Sequence, residues 1–389
     1  MNQGRTVFAQ IMEFVSHDEF RRCVKKYDGN RRVRRLACWD QFLAMAFAQL
    51  SYRQSLRDIE ACLGAQQNKL YHCGFRAPVR RSTLADANEQ RDWRIYADFA
   101  RTLIDMARPL YANTELGIDL DATIYALDAT TIDLCLSLFP WARYKTAKGA
   151  IKLHTLMEVH SSIPVFIDIT HAKVHDVHVL DLLFLEPGSF LVLDRAYIDF
   201  ARLYALHQAL AFFVVRAKKN FQFRRRSSRP VSFLDGVKSD QAVVLTGPLS
   251  RKLYPVPLRR VSYYSAETDQ QLIFLTNNFS ITSLTVATLY RYRWQIELFF
   301  KWIKQHLRIK RFFGTSPNSV KTQIWIAVAI YVLIGIIKKK LALKQSLYTI
   351  LQILSVTLFE KVPILNLFEN CDDASEPNDS NKQLNLFDY

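Results

Sequence analysis

The chain has 389 residues, and 52 Lys and Arg against 36 Asp and Glu leave a formal charge of +16. Half of the residues are hydrophobic and only 11 are Gly and 12 Pro, which excludes a disordered, collagen-like or low-complexity polymer and predicts a large packed core. So strong a basic excess predicts a polyanionic partner, nucleic acid before an anionic membrane, and the length predicts two or three domains.

Residues 1 to about 110 read as helical, with apolar residues at helical spacing over 7–14, 38–50 and 93–106 and turn residues at Asp28, Gly29, Gly64 and Pro78. Two basic clusters lie there: Arg21, Arg22, Lys25 and Lys26, then Arg31, Arg32, Arg34 and Arg35. A charge run usually only solvates a helix face. With 19 basic against 12 acidic residues in the first 110, these clusters are expected to contact DNA. Ser82-Thr83-Leu84 opens a segment carrying Asn88 and Arg91 that suits base reading, with 55–62 as its positioning partner, although their link is longer than a helix-turn-helix turn. Six cysteines at 23, 38, 62, 73, 135 and 371 form no Cys-x-x-Cys pair and read as reduced core thiols rather than metal ligands. With no cleavable signal at the start, the expected compartment is the cytoplasm, in association with the nucleoid.

From about 120 the period becomes strand-like, at 124–134, 151–159, 164–172 and 190–194, followed by a helix at 198–210 and a fifth strand at 211–216. That order predicts a mixed sheet flanked by helices. Residues 217–280 read as a β-rich insertion, with a basic run at Arg224, Arg225, Arg226 and Arg229 and strand-like pieces at 241–245, 258–264 and 271–275. Helical segments are expected at 281–312, 319–340 and 345–360. The apolar stretch 324–337 rises about 21 Å as a helix against the roughly 30 Å of a hydrocarbon core, so a buried helix capped by Ser319 is expected and no membrane partner. From Glu369 the chain turns acidic and reads as a disordered tail.

Three carboxylates carry the chemistry. Asp128, in Tyr-Ala-Leu-Asp-Ala-Thr-Thr (125–131), is a charge inside an apolar strand, unless it merely ends the strand beside a capping Thr130. Asp194, in Phe-Leu-Val-Leu-Asp-Arg-Ala-Tyr (190–197), stands at a strand C-terminus, where open α/β sheets place their sites, unless it caps the following helix. Glu297 is the only acidic residue between 290 and 340, among eleven Lys and Arg. On one continuous helix the spacing Tyr290-x2-Arg293-x3-Glu297-x6-Lys304 puts four functional side chains on one face, of which an ordinary Arg–Glu helix pair explains only two.

In this order the three motifs resemble the insertion-sequence transposases of the bacterial DDE class, specifically the IS-four group, over about 120–335. The resemblance implies an α/β protein with an RNase H-like catalytic core, a mixed five-stranded sheet flanked by helices, at 116–216 and 281–368. A β-rich insertion at 217–280 would interrupt it, a helical DNA-binding domain at 1–115 would precede it, and the acidic tail 369–389 would follow. It implies that Asp128, Asp194 and Glu297 hold two Mg²⁺ ions, with Mn²⁺ a possible substitute, and that Tyr290, Arg293 and Lys304 meet phosphates near the element end. Paired hard cations activate an attacking water or 3′-hydroxyl and stabilise the leaving oxygen. Further phosphate contacts are expected at Lys148 and Lys152 and in the run Arg224, Arg225, Arg226. The implied activity is binding of terminal inverted repeats, hydrolysis at the element ends and joining of the 3′-hydroxyls to target DNA, by a homodimer that brings two ends together. The tryptophan some of these enzymes use to hold a flipped base has no counterpart at 142–293, so that step would need Tyr263, Tyr264 or another ring in its place. His171, His175 and His178 read as polar loop packing or support rather than zinc ligands. The rivals are an RNase H-like nuclease without strand transfer and an inactive relative that only binds DNA.

Overall fold

The computed structural model describes residues 4–112, 117–118, 120–146, 148–218, 221–232, 235–306 and 312–369. The tail expected to be disordered, with Cys371, lies outside the described residues apart from Glu369. The chain divides into two units, one comprising 1–113, 132–151 and 299–375 and the other built on 114–131 and 152–298.

The first unit is mainly helical. Its N-terminal helices are α1 (Val7–Met12), α2 (His17–Lys26), α3 (Cys38–Leu50), α4 (Leu56–Ala65), α5 (Gln67–Leu70), α6 (Arg81–Gln90) and α7 (Arg94–Tyr111). Serine hydroxyls cap where the sequence changes from turn to apolar period: Ser16 accepts from Glu19 and Ser55 from Asp58. Phe20, Trp39, Phe42 and Phe99 meet edge to face or tilted and anchor the core of this unit.

The apolar C-terminal segment is longer than its hydrophobic run suggests. It forms a 24-residue helix from Pro317 to Lys340, capped by Ser316 rather than the expected Ser319, whose backbone N–H instead donates to Ser316 Oγ. Pro317 takes the first helical position, where its missing N–H costs nothing. At about 1.5 Å per residue such a helix is long enough to cross a bilayer, so the length argument fails. What marks it as a core element is packing, since 94% of its apolar window is buried inside the protein.

The second unit holds most of a ten-stranded mixed sheet. Its strands in chain order are β1 (Ile124–Leu134), β2 (Arg143–Lys145), β3 (Lys148–Glu158), β4 (Ile163–His171), β5 (Phe190–Leu193), β6 (Phe212–Arg216), β7 (Phe223–Arg229), β8 (Val237–Leu245), β9 (Leu258–Ser265) and β10 (Gln270–Thr276). The sheet order is β2-β3-β1-β5-β6-β10-β9-β8-β7, with β4 on β3. Two short helices, α8 (Phe200–Gln208) and α9 (Pro248–Leu253), accompany it, then α10 (Ser283–Arg291) and α11 (Trp294–His306). The 317–340 helix is α12, and α13 (Leu347–Thr357) matches the last expected helical segment.

Two expectations change here. The sheet is not five-stranded with a separate insertion: β10 pairs antiparallel with β6, Thr276 opposite Val214, so the strands of 217–280 continue the same sheet. The basic run is itself a strand, β7, which among the described residues pairs only with β8 and is exposed along almost its whole length. Its Arg-Arg-Arg-Ser-Ser sequence has no alternation to betray a strand, yet charge suits an edge, where it discourages pairing with another chain. Inside the extension Arg259 and Asp240, 1% and 4% exposed, form a two-point ion pair of 2.9 and 2.7 Å.

Candidate active site

Strand register explains why two aspartates distant in sequence meet. β1 and β5 are parallel, with Ile124 opposite Phe190 and Leu127 opposite Leu193. The next residue on each chain is Asp128 and Asp194, so the two acids are neighbours where β5 ends. The alternative readings of both fail. Asp128 lies in the middle of an eleven-residue strand, its Oδ1 accepting the N–H of Ala129 at 2.8 Å. The cap of α8 is Asp199, which accepts from Ala201 and Arg202 at 3.1 Å, leaving Asp194 to a different partner.

That partner is Tyr290. Its buried ring packs on Phe274 and its hydroxyl donates to Asp194 Oδ1 at 3.2 Å. The signature does not lie on one continuous helix as expected. α10 stops at Arg291, Tyr292 and Arg293 form a tight turn, and α11 starts at Trp294, with Glu297 in its first turn. A helix N-terminus favours a carboxylate. The break sets Arg293 at the junction, where it donates to Asp128 Oδ2 at 3.1 Å and to Glu297 Oε1 at 2.5 Å, with 18% of its side chain exposed. Asp194, Tyr290, Arg293, Asp128 and Glu297 thus form one connected group, closed by Arg293 lying 5.7 Å from the centre of the Tyr290 ring.

The electrostatics follow from that crowding. Burial pushes the Asp128 carboxyl up to about 6, and Asp194 and Glu297 push the same way; Arg293 and the Ala129 N–H oppose them without prevailing. Burial also lifts the Tyr290 phenol to about 12. For Arg293, burial works against the charge, but Tyr290, Glu297 and Asp128 together hold the guanidinium more firmly protonated than usual. Among the described residues no three His, Cys, Asp or Glu side chains stand close enough to ligate one ion as they are placed. The donor chemistry nevertheless fits a hard divalent cation, being carboxylate oxygens that repel one another and that already hold a cation, the guanidinium, between two of them.

Sequence reasoning missed Tyr197. It closes the Leu-Asp-Arg-Ala-Tyr motif on a 3₁₀ turn, is 1% exposed, and its buried hydroxyl has no hydrogen-bond partner. An aromatic residue three places after a strand-end acid was the available signal. The other expected residues divide. Lys152 donates to Val174 O and Asp176 Oδ1, both at 2.9 Å, and is half-buried. Lys148, Lys304, Arg224, Arg225 and Arg226 are exposed. Lys25, Arg31 and Arg32 are exposed too, whereas Arg21 and Arg22 pair with Asp18 and Glu19 of their own helix and Lys26 pairs with Asp98. His178 bonds Arg202, which also pairs with Asp181 and Asp199. Tyr264 is 37% exposed and donates to Asp269.

A family profile described as a transposase DDE domain matches residues 119–333, and one described as a domain of unknown function matches 3–76. The chain belongs to the transposase DDE-domain family. Among its relatives are a putative transposase, y4zB, of Sinorhizobium fredii, 34% identical over 257 residues that cover 65% of this chain and 70% of the relative, and a probable transposase for insertion sequence element IS5377 of Geobacillus stearothermophilus, 31% identical over 209 residues that cover 54% and 55%. The protein is therefore a transposase similar to those of bacterial insertion sequences. A solved structure of the piggyBac transposase synaptic complex with hairpin DNA aligns with a TM-score of 0.46 and 11% identity, over 96% of this chain and 87% of that one.

Proposed function

We propose that this transposase binds the terminal inverted repeats of its element, hydrolyses phosphodiester bonds at the ends and joins the 3′-hydroxyls to target DNA, with Asp128, Asp194 and Glu297 as the catalytic carboxylates of an RNase H-like core. The observation that carries the reading is the convergence of these three acids, distant in sequence, through β1–β5 register and the Arg293 bridge. Asp128, Asp194 and Glu297 would hold two Mg²⁺ ions, or Mn²⁺ in their place. When bound, such ions lower the pKa of an attacking hydroxyl and stabilise the leaving oxygen. Asp128 ligates as the carboxylate, the form that prevails above about pH 6, Tyr290 orients Asp194 through its hydroxyl, and burial around Tyr197 and Phe274 keeps water from the back of the site.

The helical N-terminal segment, with the exposed Lys25, Arg31 and Arg32, is our candidate for end binding, and the edge strand β7 for a second contact along the DNA backbone through Arg224, Arg225 and Arg226. Arg21, Arg22 and Lys26 would first leave their intramolecular partners. Lys148 and Lys304 are free in position to meet phosphates, whereas Lys152, held by Asp176, is assigned to bracing the loop after β4. Two element ends require two chains, so the acting species is a homodimer in the cytoplasm, associated with the nucleoid.

The test is a cleavage and joining assay with Mg²⁺ on DNA carrying the element's own terminal repeats, comparing wild type with Glu297→Gln. Cutting and joining by the wild type, both lost in the variant, is the expected result. Cutting without joining would identify a nuclease, and repeat binding without cutting a protein that only binds DNA. Binding should weaken with salt by about 0.9 log units in affinity per log unit of salt for each phosphate neutralised.

A further inference from the structure

We propose that Arg293 is an exchangeable counter-ion of the catalytic carboxylates: it and a divalent cation compete for the same oxygens of Asp128 and Glu297, and DNA promotes metal binding by drawing the guanidinium away. This inference rests on the metal-binding reading of the acids above. Its own basis is geometric. The two terminal nitrogens of Arg293 reach one oxygen on each acid, at 3.1 and 2.5 Å. A cation ligated by those oxygens competes with the guanidinium for them, because the two positive charges repel across the same carboxylates and each weakens the other's hold.

Two features separate an exchangeable ion from a fixed structural bridge. The Arg293 Nε is buried and has no hydrogen-bond partner, so the inward position leaves the side chain incompletely satisfied. A fully built interior bridge looks different in this same protein, where Arg259 makes two bonds to Asp240 and further bonds to backbone carbonyls. Arg293 also sits in the turn between α10 and α11 with 18% of its side chain exposed, so the guanidinium has a path from its acids towards solvent. The anion able to receive a released guanidinium with similar two-point geometry is a phosphodiester. Binding of phosphate to Arg293 and of metal to the acids then favour one another, and linkage makes the effect reciprocal.

The test is a Mn²⁺ titration of the full chain followed by electron paramagnetic resonance, without DNA and with a saturating duplex carrying the terminal repeats. For wild type, DNA is expected to tighten Mn²⁺ binding by about tenfold, within the usual range for coupled sites. Arg293→Gln without DNA should already bind Mn²⁺ about tenfold tighter than wild type, and DNA should add little. Arg293→Lys, which keeps a cation at the position, should stay near wild type, and thermal melts establish that each variant is folded. Unchanged or weaker Mn²⁺ binding in folded Arg293→Gln, with binding still abolished by Glu297→Gln, would overturn the exchange while leaving the metal site standing. Mn²⁺ binding indifferent to Glu297→Gln in every background would instead overturn the metal site, and the exchange with it.

Discussion

Asp240→Ala is expected to destabilise the protein by about 3–5 kcal/mol, among the largest losses any single substitution here should produce. Arg259 is 1% exposed and its charge has no route to water. Its Nε and Nη2 engage both oxygens of Asp240 at 2.9 and 2.7 Å, and its Nη1 donates to the Ile281 carbonyl at 2.6 Å. Removing the carboxylate strands a guanidinium in the interior, where desolvation is no longer offset by its partner. Against a total stability of about 5–15 kcal/mol that is a large share. Urea unfolding should show a clear fall in midpoint, and replacing both partners by Leu should restore much of it, because a pair of apolar side chains strands no charge. Arg291→Ala, which breaks the exposed 3.2 Å pair to Glu267, serves as the control and should leave the midpoint unmoved. The pair also bears on the site, since Arg259 ties β9 to residues 278–281, which lead into the helix carrying Tyr290. A midpoint unchanged by Asp240→Ala would mean that water reaches Arg259.

The acids were legible because a charge inside an apolar strand has few innocent explanations. β1 was read to the residue, and the strand edges flanking Asp194 to within one. What the sequence concealed was mostly partner choice. Asp199 and Asp194 are equally plausible caps in a linear reading, and only the folded turn shows that Asp199 takes the α8 N–H groups. Likewise, a heptad-like spacing from Tyr290 to Lys304 fits one helix, but the turn at Tyr292 and Arg293 has no Gly or Pro to announce it. That turn sets Arg293 between Asp128 and Glu297 instead of on one continuous helical face with Tyr290 and Lys304. The extent of the sheet was hidden for a related reason. Pairing of β10 with β6 joins residues some sixty apart, a long-range contact that local periodicity cannot encode. The helix α12 was read to within two residues of its start, but its apolar run 324–337 understated the buried stretch, because Ser319, Thr322 and Gln323, all polar, are buried with the rest of it.

Asp128→Asn should separate activity from stability in opposite directions. Burial and the neighbouring Asp194 and Glu297 push this carboxyl up to about 6 despite Arg293. The folded chain therefore holds a proton that the unfolded chain releases near its ordinary value of about 3.9. Between those two values the native state binds more protons than the unfolded state, so stability falls as pH rises, and the full cost is present above about pH 6. An amide carries no such charge. Without divalent metal at pH 8 the Asn variant should be more stable than wild type by about 1–2 kcal/mol, with the advantage shrinking to nothing as pH drops towards 4. Cleavage, by contrast, should fall by about a hundred- to a thousandfold, because a neutral amide is a poor ligand for a hard cation and loss of one partner for developing charge costs that much. Adding Mg²⁺ should then reverse the order of stability, since ligand binding stabilises only the chain that can bind it. Melting temperatures of the two proteins, in EDTA and in Mg²⁺ at pH 4.5 and pH 8, decide the matter. Equal pH dependence in both would refute a perturbed Asp128, and an Mg²⁺ response preserved in the Asn variant would remove this residue from the metal site. If both expectations hold, the site stores its readiness for metal as electrostatic strain. The Arg293 bridge relieves that strain only in part, the condition under which a cation of higher charge would displace it.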